Sequence, residues 1–222
     1  MMVKSFRYLL RFAWVNLTAT LGFAAIVIVG SFLTGVPHGA NNVFRTYFGC
    51  FPLMILLMLF LYAFALCTSN LNLALSFGAR RRDYFLAIQL IMLLYTGICW
   101  ALQAVMAAIP DLFAWNSVDR WSFLMSLGGL TNWRYPLACL TIMVLGCLCG
   151  LLYVRSRVWG GVVMVLTMLG GVVATMVLLI FSDSQPGSPG ALTAAILNYG
   201  AVAVIAVCEL MIWRTVNRCI VR

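Results

Sequence analysis

Apolar residues gather into six long runs along this chain, and polar or charged residues collect in the breaks between them. The runs cover about 14–33, 48–67, 84–109, 136–154, 159–181 and 191–213. A helix needs roughly 20 consecutive apolar residues to cross the hydrocarbon core of a bilayer, and each run is near that length. The pattern predicts an all-α integral membrane protein, a single transmembrane domain over 1–222 with six transmembrane helices. Thr34-Gly-Val-Pro-His-Gly ends the first run, and Pro110 closes the third.

Ahead of the first run, residues 3–13 carry Lys4, Arg7 and Arg11 at helical spacing. Phe6, Leu9, Leu10 and Phe12 fill much of the remaining wheel. That pattern describes an amphipathic helix lying in the membrane interface, or equally a basic flank that orients the first span. No small-residue cleavage site follows a short apolar core here, so the segment reads as retained. The longest break, Pro110 to Tyr135, mixes Trp115, Trp121, Phe123 and Leu124 with a few charges. It reads as an interfacial helix covering the ends of the spans, in preference to a gate or lid.

Composition agrees with the pattern. The chain is 64% hydrophobic and 9% charged, against about 25% charged in a soluble domain. The net charge of +9 is not a nucleic-acid signal, because the basic residues sit in the breaks between runs. With the N-terminus taken as cytoplasmic, eleven of the 14 basic residues fall on the inner side. Arg45, Arg120 and Arg134 fall on the outer one. Positive residues are retained on the cytoplasmic side, so the bias puts both termini in the cytoplasm.

Little chemistry is carried inside the runs. No Gly-x-x-x-x-Gly-Lys-[Ser/Thr] phosphate loop occurs, the only lysine is Lys4, and the only histidine is His38. No Cys-x-x-Cys pair occurs among the 8 cysteines, so neither a metal nor a cofactor is expected; buried cysteine serves as a small apolar residue. Glu209 is the one ionisable residue within a run, and such residues are expensive to bury. A structural pairing at the inner interface, with an arginine as one candidate, is expected ahead of a proton relay. Gln89, Gln103 and Asn198 read as helix–helix hydrogen-bonding groups. Gly146-Cys-Leu-Cys-Gly150 spaces two small residues for close helix approach, and Gly160 and Gly161 extend the small-residue surface.

The break between the second and third runs is different in kind. Ser69 to Ala87 holds Leu71, Leu73, Leu75 and Phe77 on one apolar face. Gly78 breaks the stretch, and the adjacent Arg80, Arg81 and Arg82 follow before Tyr84 and Phe85. Three arginines at a bilayer centre would cost roughly 8 kcal/mol or more on the gentlest scale. The stretch is too charged to span and too apolar to be a plain tether. It is expected to be a short structured element at the cytoplasmic surface, placed to touch a partner there.

These residues support a resemblance. A six-span chain with both ends inside, a basic amphipathic N-terminus and no ATPase motif resembles an ABC transporter permease subunit. It is similar in particular to the small bacterial type-2, exporter-like permeases. Ser76-Phe-Gly-Ala-Arg-Arg-Arg-Asp-Tyr-Phe85 resembles that family's small-x-Gly-x-x-Arg-x-x-aromatic element, and Gly150-Leu-Leu-Tyr-Val-Arg-Ser-Arg-Val-Trp-Gly160 its basic inner turn. The resemblance implies a subunit of the bacterial cell membrane that pairs with a second permease subunit and docks a cytoplasmic ATP-binding subunit. Leu75, Phe77, Gly78, Arg80, Arg81, Arg82, Tyr84 and Phe85 would couple to that ATPase, and residues 3–13 would form the elbow helix. It implies no catalysis by this chain and export of an amphipathic peptide or hydrophobic small molecule. In one respect the chain departs from the family. Larger type-2 permeases often carry re-entrant helices between spans five and six, but the link Ser182 to Gly190 is short and holds Pro186 and Pro189. A secondary transporter or channel, and a non-transporting membrane scaffold or immunity protein, are the other classes this sequence admits.

Overall fold

A computed structural model of the chain describes residues 2–34, 47, 49–76, 80–113, 134–180 and 189–218. Every extended element among them is helical: α1 (Met2–Leu33), α2 (Phe51–Ala65), a π turn (Leu66–Asn70), α3 (Leu71–Ser76), α4 (Arg81–Leu112), α5 (Arg134–Arg155), α6 (Arg157–Ile180) and α7 (Pro189–Arg218). Five segments are long and apolar enough to cross a membrane: Phe6–Leu33, Phe51–Thr68, Arg81–Ile109, Tyr135–Arg155 and Tyr199–Val216. A shorter apolar stretch, Arg157–Gly171, lies in α6.

The expected interfacial helix over 3–13 is not a separate element. It runs without a break into the first span as α1. Packing explains why. Leu9, Ala13, Leu17, Thr20, Ala24, Val27 and Ser31 are all buried, and their spacing of three or four residues makes one continuous stripe across the expected boundary. Arg7, Arg11, Trp14 and Val15 are exposed. Pro110 does not close the third helix either; α4 continues to Leu112, where the Phe113 amide donates to the Ile109 carbonyl at 3.1 Å.

The centre of the bundle is α5. From Met143 to Leu151 nearly every residue is buried, the mark of a helix surrounded by others. It packs against α2, α4, α6, α7 and the π turn. Gly146 and Gly150 make the α2 contact possible. A Cβ at Gly146 would lie 2.8 Å from the Phe60 carbonyl oxygen, and one at Gly150 2.7 Å from that of Phe64. Both glycines thus lie where α5 approaches the α2 backbone. Gly160 also packs tightly, but within a turn: a Cβ there would run into the Tyr153 backbone, where Ser156 alone separates α5 from α6. Gly161 has no such close approach, since a Cβ there meets nothing within 4 Å.

Side-chain contacts fix which helix ends lie together. The Tyr8 hydroxyl donates to Asn70 Oδ1 at 3.1 Å, the Phe64 and Tyr153 rings meet edge to face, and so do Phe85 and Trp213. At the opposite end Phe32 meets Phe113, and the Tyr135 hydroxyl donates to the Pro52 carbonyl. Hydroxyls within the helices are settled locally. Thr18, Thr20, Thr34, Thr68, Thr141, Thr167 and Thr215 each donate to the carbonyl four residues back. That arrangement suits a medium with no water to satisfy them.

Candidate functional site at the π turn and the loop beyond it

The chain stays helical beyond the end of the second apolar run. Helix α2 widens into the π turn Leu66–Asn70, and α3 then carries the chain to Ser76. A π turn replaces the i→i+4 ladder locally and is often found at functional sites. Two hydroxyls pull on the backbone here. Thr68 Oγ1 donates to the Phe64 carbonyl at 3.0 Å, and Tyr84 Oη, arriving from α4, donates to the Leu66 carbonyl at 2.8 Å. Hydroxyls that compete for helix carbonyls bend helices.

A third helix holds the turn from the other side. Asn70 is buried and accepts the Tyr8 hydroxyl through Oδ1. Its amide nitrogen is buried with no hydrogen-bond partner among the described residues. Such groups are uncommon in folded proteins.

The expected coupling residues separate into two groups. Arg80 and Arg82 are exposed, and Arg80 has extended backbone (φ −71°, ψ 135°) where α4 begins. Arg81 is half-buried. Asp83 lies in the first turn of α4, where a negative charge favours the helix dipole. Tyr84 and Phe85 point into the bundle: Tyr84 is 0% exposed, and the half-buried Phe85 packs its ring on Trp213 at 5.0 Å between centroids. Phe77 and Gly78, and the side chain of Leu75, lie outside the described residues, as do the break at 114–133 and His38.

One turn deeper, Gln89 Nε2 donates to Glu209 Oε2 at 2.5 Å. Glu209 thus bonds an amide on a neighbouring helix, in place of the arginine considered as its partner from sequence. Phe85 and Gln89 are four residues apart on α4, as are Glu209 and Trp213 on α7. The two contacts form an antiparallel, two-rung clasp between these helices. The sequence singled out Gln89 and Glu209 separately and missed their pairing across 120 positions. One signal was available: both stand a short way from an arginine that marks the same membrane face, Arg82 and Arg214. The Tyr8–Asn70 and Tyr84–Leu66 bonds had no signal, because the π turn that orients them is not readable from hydrophobic periodicity.

Further into α1, Asn16 Oδ1 accepts the Tyr95 hydroxyl, and Tyr95 meets Tyr62 edge to face at 4.8 Å. Gln103 is fully buried, while the side chain of Asn198 lies outside the described residues. The seven described cysteines are all free, and six of them are buried. Cys147 packs its sulfur against the Ala63 carbonyl and Met92 Sδ. Among the described residues no group of three or more His, Cys, Asp or Glu comes together to hold a metal ion.

The site is a widened helical turn, tied to α1 and α4 by tyrosine hydroxyls, followed by a break with outward arginines. No protein-family model, curated protein or solved structure matches the chain.

Proposed function

We propose that this chain is the membrane-spanning permease subunit of an ATP-driven ABC transporter of the type-2, exporter-like kind, seated in a bacterial cell membrane. In this reading it has six spans with both termini in the cytoplasm. It pairs with a second permease subunit, and a separate cytoplasmic ATPase supplies the energy. The cargo is an amphipathic peptide or hydrophobic small molecule, in keeping with spans that carry few polar groups.

One observation carries the reading. Arg80, just before α4, and Arg82, in its first turn, are exposed, while the adjacent Tyr84 and Phe85 are built into the bundle. A segment that takes up a push at a surface needs an outward part for the partner and an inward part joined to the helices that must move. Here the inward part reaches the π turn through Tyr84 and α7 through Phe85. The outward part is Arg80 and Arg82, which suit an acidic-rimmed cleft on a partner.

The experiment is purification of the tagged chain from its native membranes, with ATP hydrolysis followed in the eluate. The expected result is a co-purifying ATPase subunit and hydrolysis that depends on it. Replacing Phe77 by alanine together with Arg82→Gln should lower ATPase recovery about tenfold or more, since truncated interface anchors commonly cost about 2 kcal/mol or more. The variant should still insert, because most of the positive residues remain. Hydrolysis by the isolated chain, or unchanged ATPase binding by this variant, would overturn the proposal.

A further inference from the structure

Seven arginines with described surroundings are exposed: Arg7, Arg11, Arg80, Arg82, Arg155, Arg157 and Arg214. The contacts that group the helix ends put all seven at one end of the bundle. Their immediate settings differ. Arg80 immediately precedes α4 and Arg82 lies in its first turn. The other five stand on the flanks of helices whose outer faces are apolar.

On α1, Arg7 and Arg11 continue the stripe that leads to Trp14 and Val15, 64% and 67% exposed. Residues three or four apart share a helix face. On α7, Arg214 continues the exposed stripe of Leu210 and Met211. At the turn between α5 and α6, Arg155 and Arg157 stand beside Val158 and Trp159, 74% and 67% exposed. In each place large apolar side chains that need hydrocarbon give way to arginine within one helical turn. That is the level where acyl chains meet phosphate, and exposed tryptophan favours the same level. The two carboxylates with described surroundings are placed elsewhere, Asp83 half-buried in the first turn of α4 and Glu209 on Gln89.

We propose that these five arginines form a girdle that binds the headgroups of anionic phospholipids, and that the chain selects such lipids from the surrounding bilayer. The occupant is a lipid and not an acidic protein, because each arginine continues a lipid-facing apolar stripe. A soluble partner would have to reach the flank of the bundle through the bilayer. Guanidinium groups pair with phosphate through paired N–H donors. In this proposal lipid selection belongs to these five, and Arg80 and Arg82, at the start of α4, are left to partner docking. The inference stands independently of the permease reading.

The test measures lipid retained by the purified chain. The protein is equilibrated with mixed micelles holding equal amounts of phosphatidylglycerol and phosphatidylcholine, then isolated, and its bound lipids are counted by mass spectrometry. The wild type should carry at least fivefold more phosphatidylglycerol than phosphatidylcholine. That excess should fall to near parity at about 1 M salt, where charge attraction is screened within about 3 Å. Inorganic phosphate at matched ionic strength should leave it in place, which separates a lipid site from a free-phosphate site.

The variant R155Q/R157Q/R214Q should lose at least half of the excess. The same three positions changed to lysine should keep most of it, and R80Q/R82Q should keep all of it. Equal retention of the two lipids by the wild type would overturn the proposal. So would an excess that survives high salt, one displaced by phosphate alone, or one lost only in R80Q/R82Q. The salt and phosphate arms need only the wild-type protein, so a variant that fails to fold does not remove the test.

Discussion

Gly146 and Gly150 mark where α5 comes closest to a neighbouring helix, with the Phe60 and Phe64 carbonyls where a Cβ would stand. Those obstacles are backbone and cannot swing aside. Gly146→Val or Gly150→Val should therefore separate the helices and lower stability by about 1–3 kcal/mol, the usual penalty of overpacking. Gly161→Ala should be tolerated, since nothing lies within 4 Å of the added carbon. Thermal unfolding in detergent, followed by tryptophan fluorescence, separates the two classes. Gly161→Ala behaving like the other two would contradict the packing described. At Tyr84 the prediction is narrower. Tyr84→Phe keeps the buried ring and removes only the bond to the Leu66 carbonyl, with an expected loss of about 0.5–1.5 kcal/mol. Hydrogen exchange should accelerate at the backbone amides around Leu66–Asn70 and not in α6.

Between elements, the α4–α7 clasp invites measurement. Its rungs, Phe85 on Trp213 and Gln89 on Glu209, are the side-chain links described between these helices. Q89L and E209L each remove one partner and leave the other in a poorly solvated place. The double variant should be less destabilised than the two single effects added together. The coupling expected is about 0.6–1.7 kcal/mol, the span seen for hydrogen bonds between membrane helices, and a double-mutant cycle reads it directly. Additive effects would mean that the contact does not matter to the fold. The continuous α1 belongs to this scale too. One buried stripe from Leu9 to Ser31 ties the basic start to the span, so Ala13→Glu should destabilise the bundle. A separate surface helix would tolerate that change.

At the scale of the molecule, the distribution of positive residues sets an expectation about orientation. A single reactive cysteine replacing Asn116, in a cysteine-free chain, should be labelled by an impermeant reagent from outside intact cells. Labelling only after the inner face is opened would reverse the assignment. The same end that gathers the exposed arginines holds the π turn, the start of α4 and the clasp. At the opposite end Phe32 meets Phe113 edge to face.

That the chain is all-helical, with several apolar helices of membrane-spanning length, was legible in the sequence, because crossing a hydrocarbon layer imposes a length and a composition on each segment separately. The asymmetry of its arginines was legible for the same reason, since charge is costly anywhere else. Gly146 and Gly150 were readable as a close approach, though not which helix approaches. Contact between segments is a different matter. That α5 is central, that Tyr84 grips the carbonyl of Leu66, that Glu209 bonds Gln89 and that Tyr84 and Phe85 turn inward all depend on helices brought together from distant parts of the chain. Apolar periodicity reports which face is greasy, and in a bilayer lipid and protein satisfy a greasy face alike. Only packing distinguishes them, and packing is set by the shapes of side chains that meet after folding.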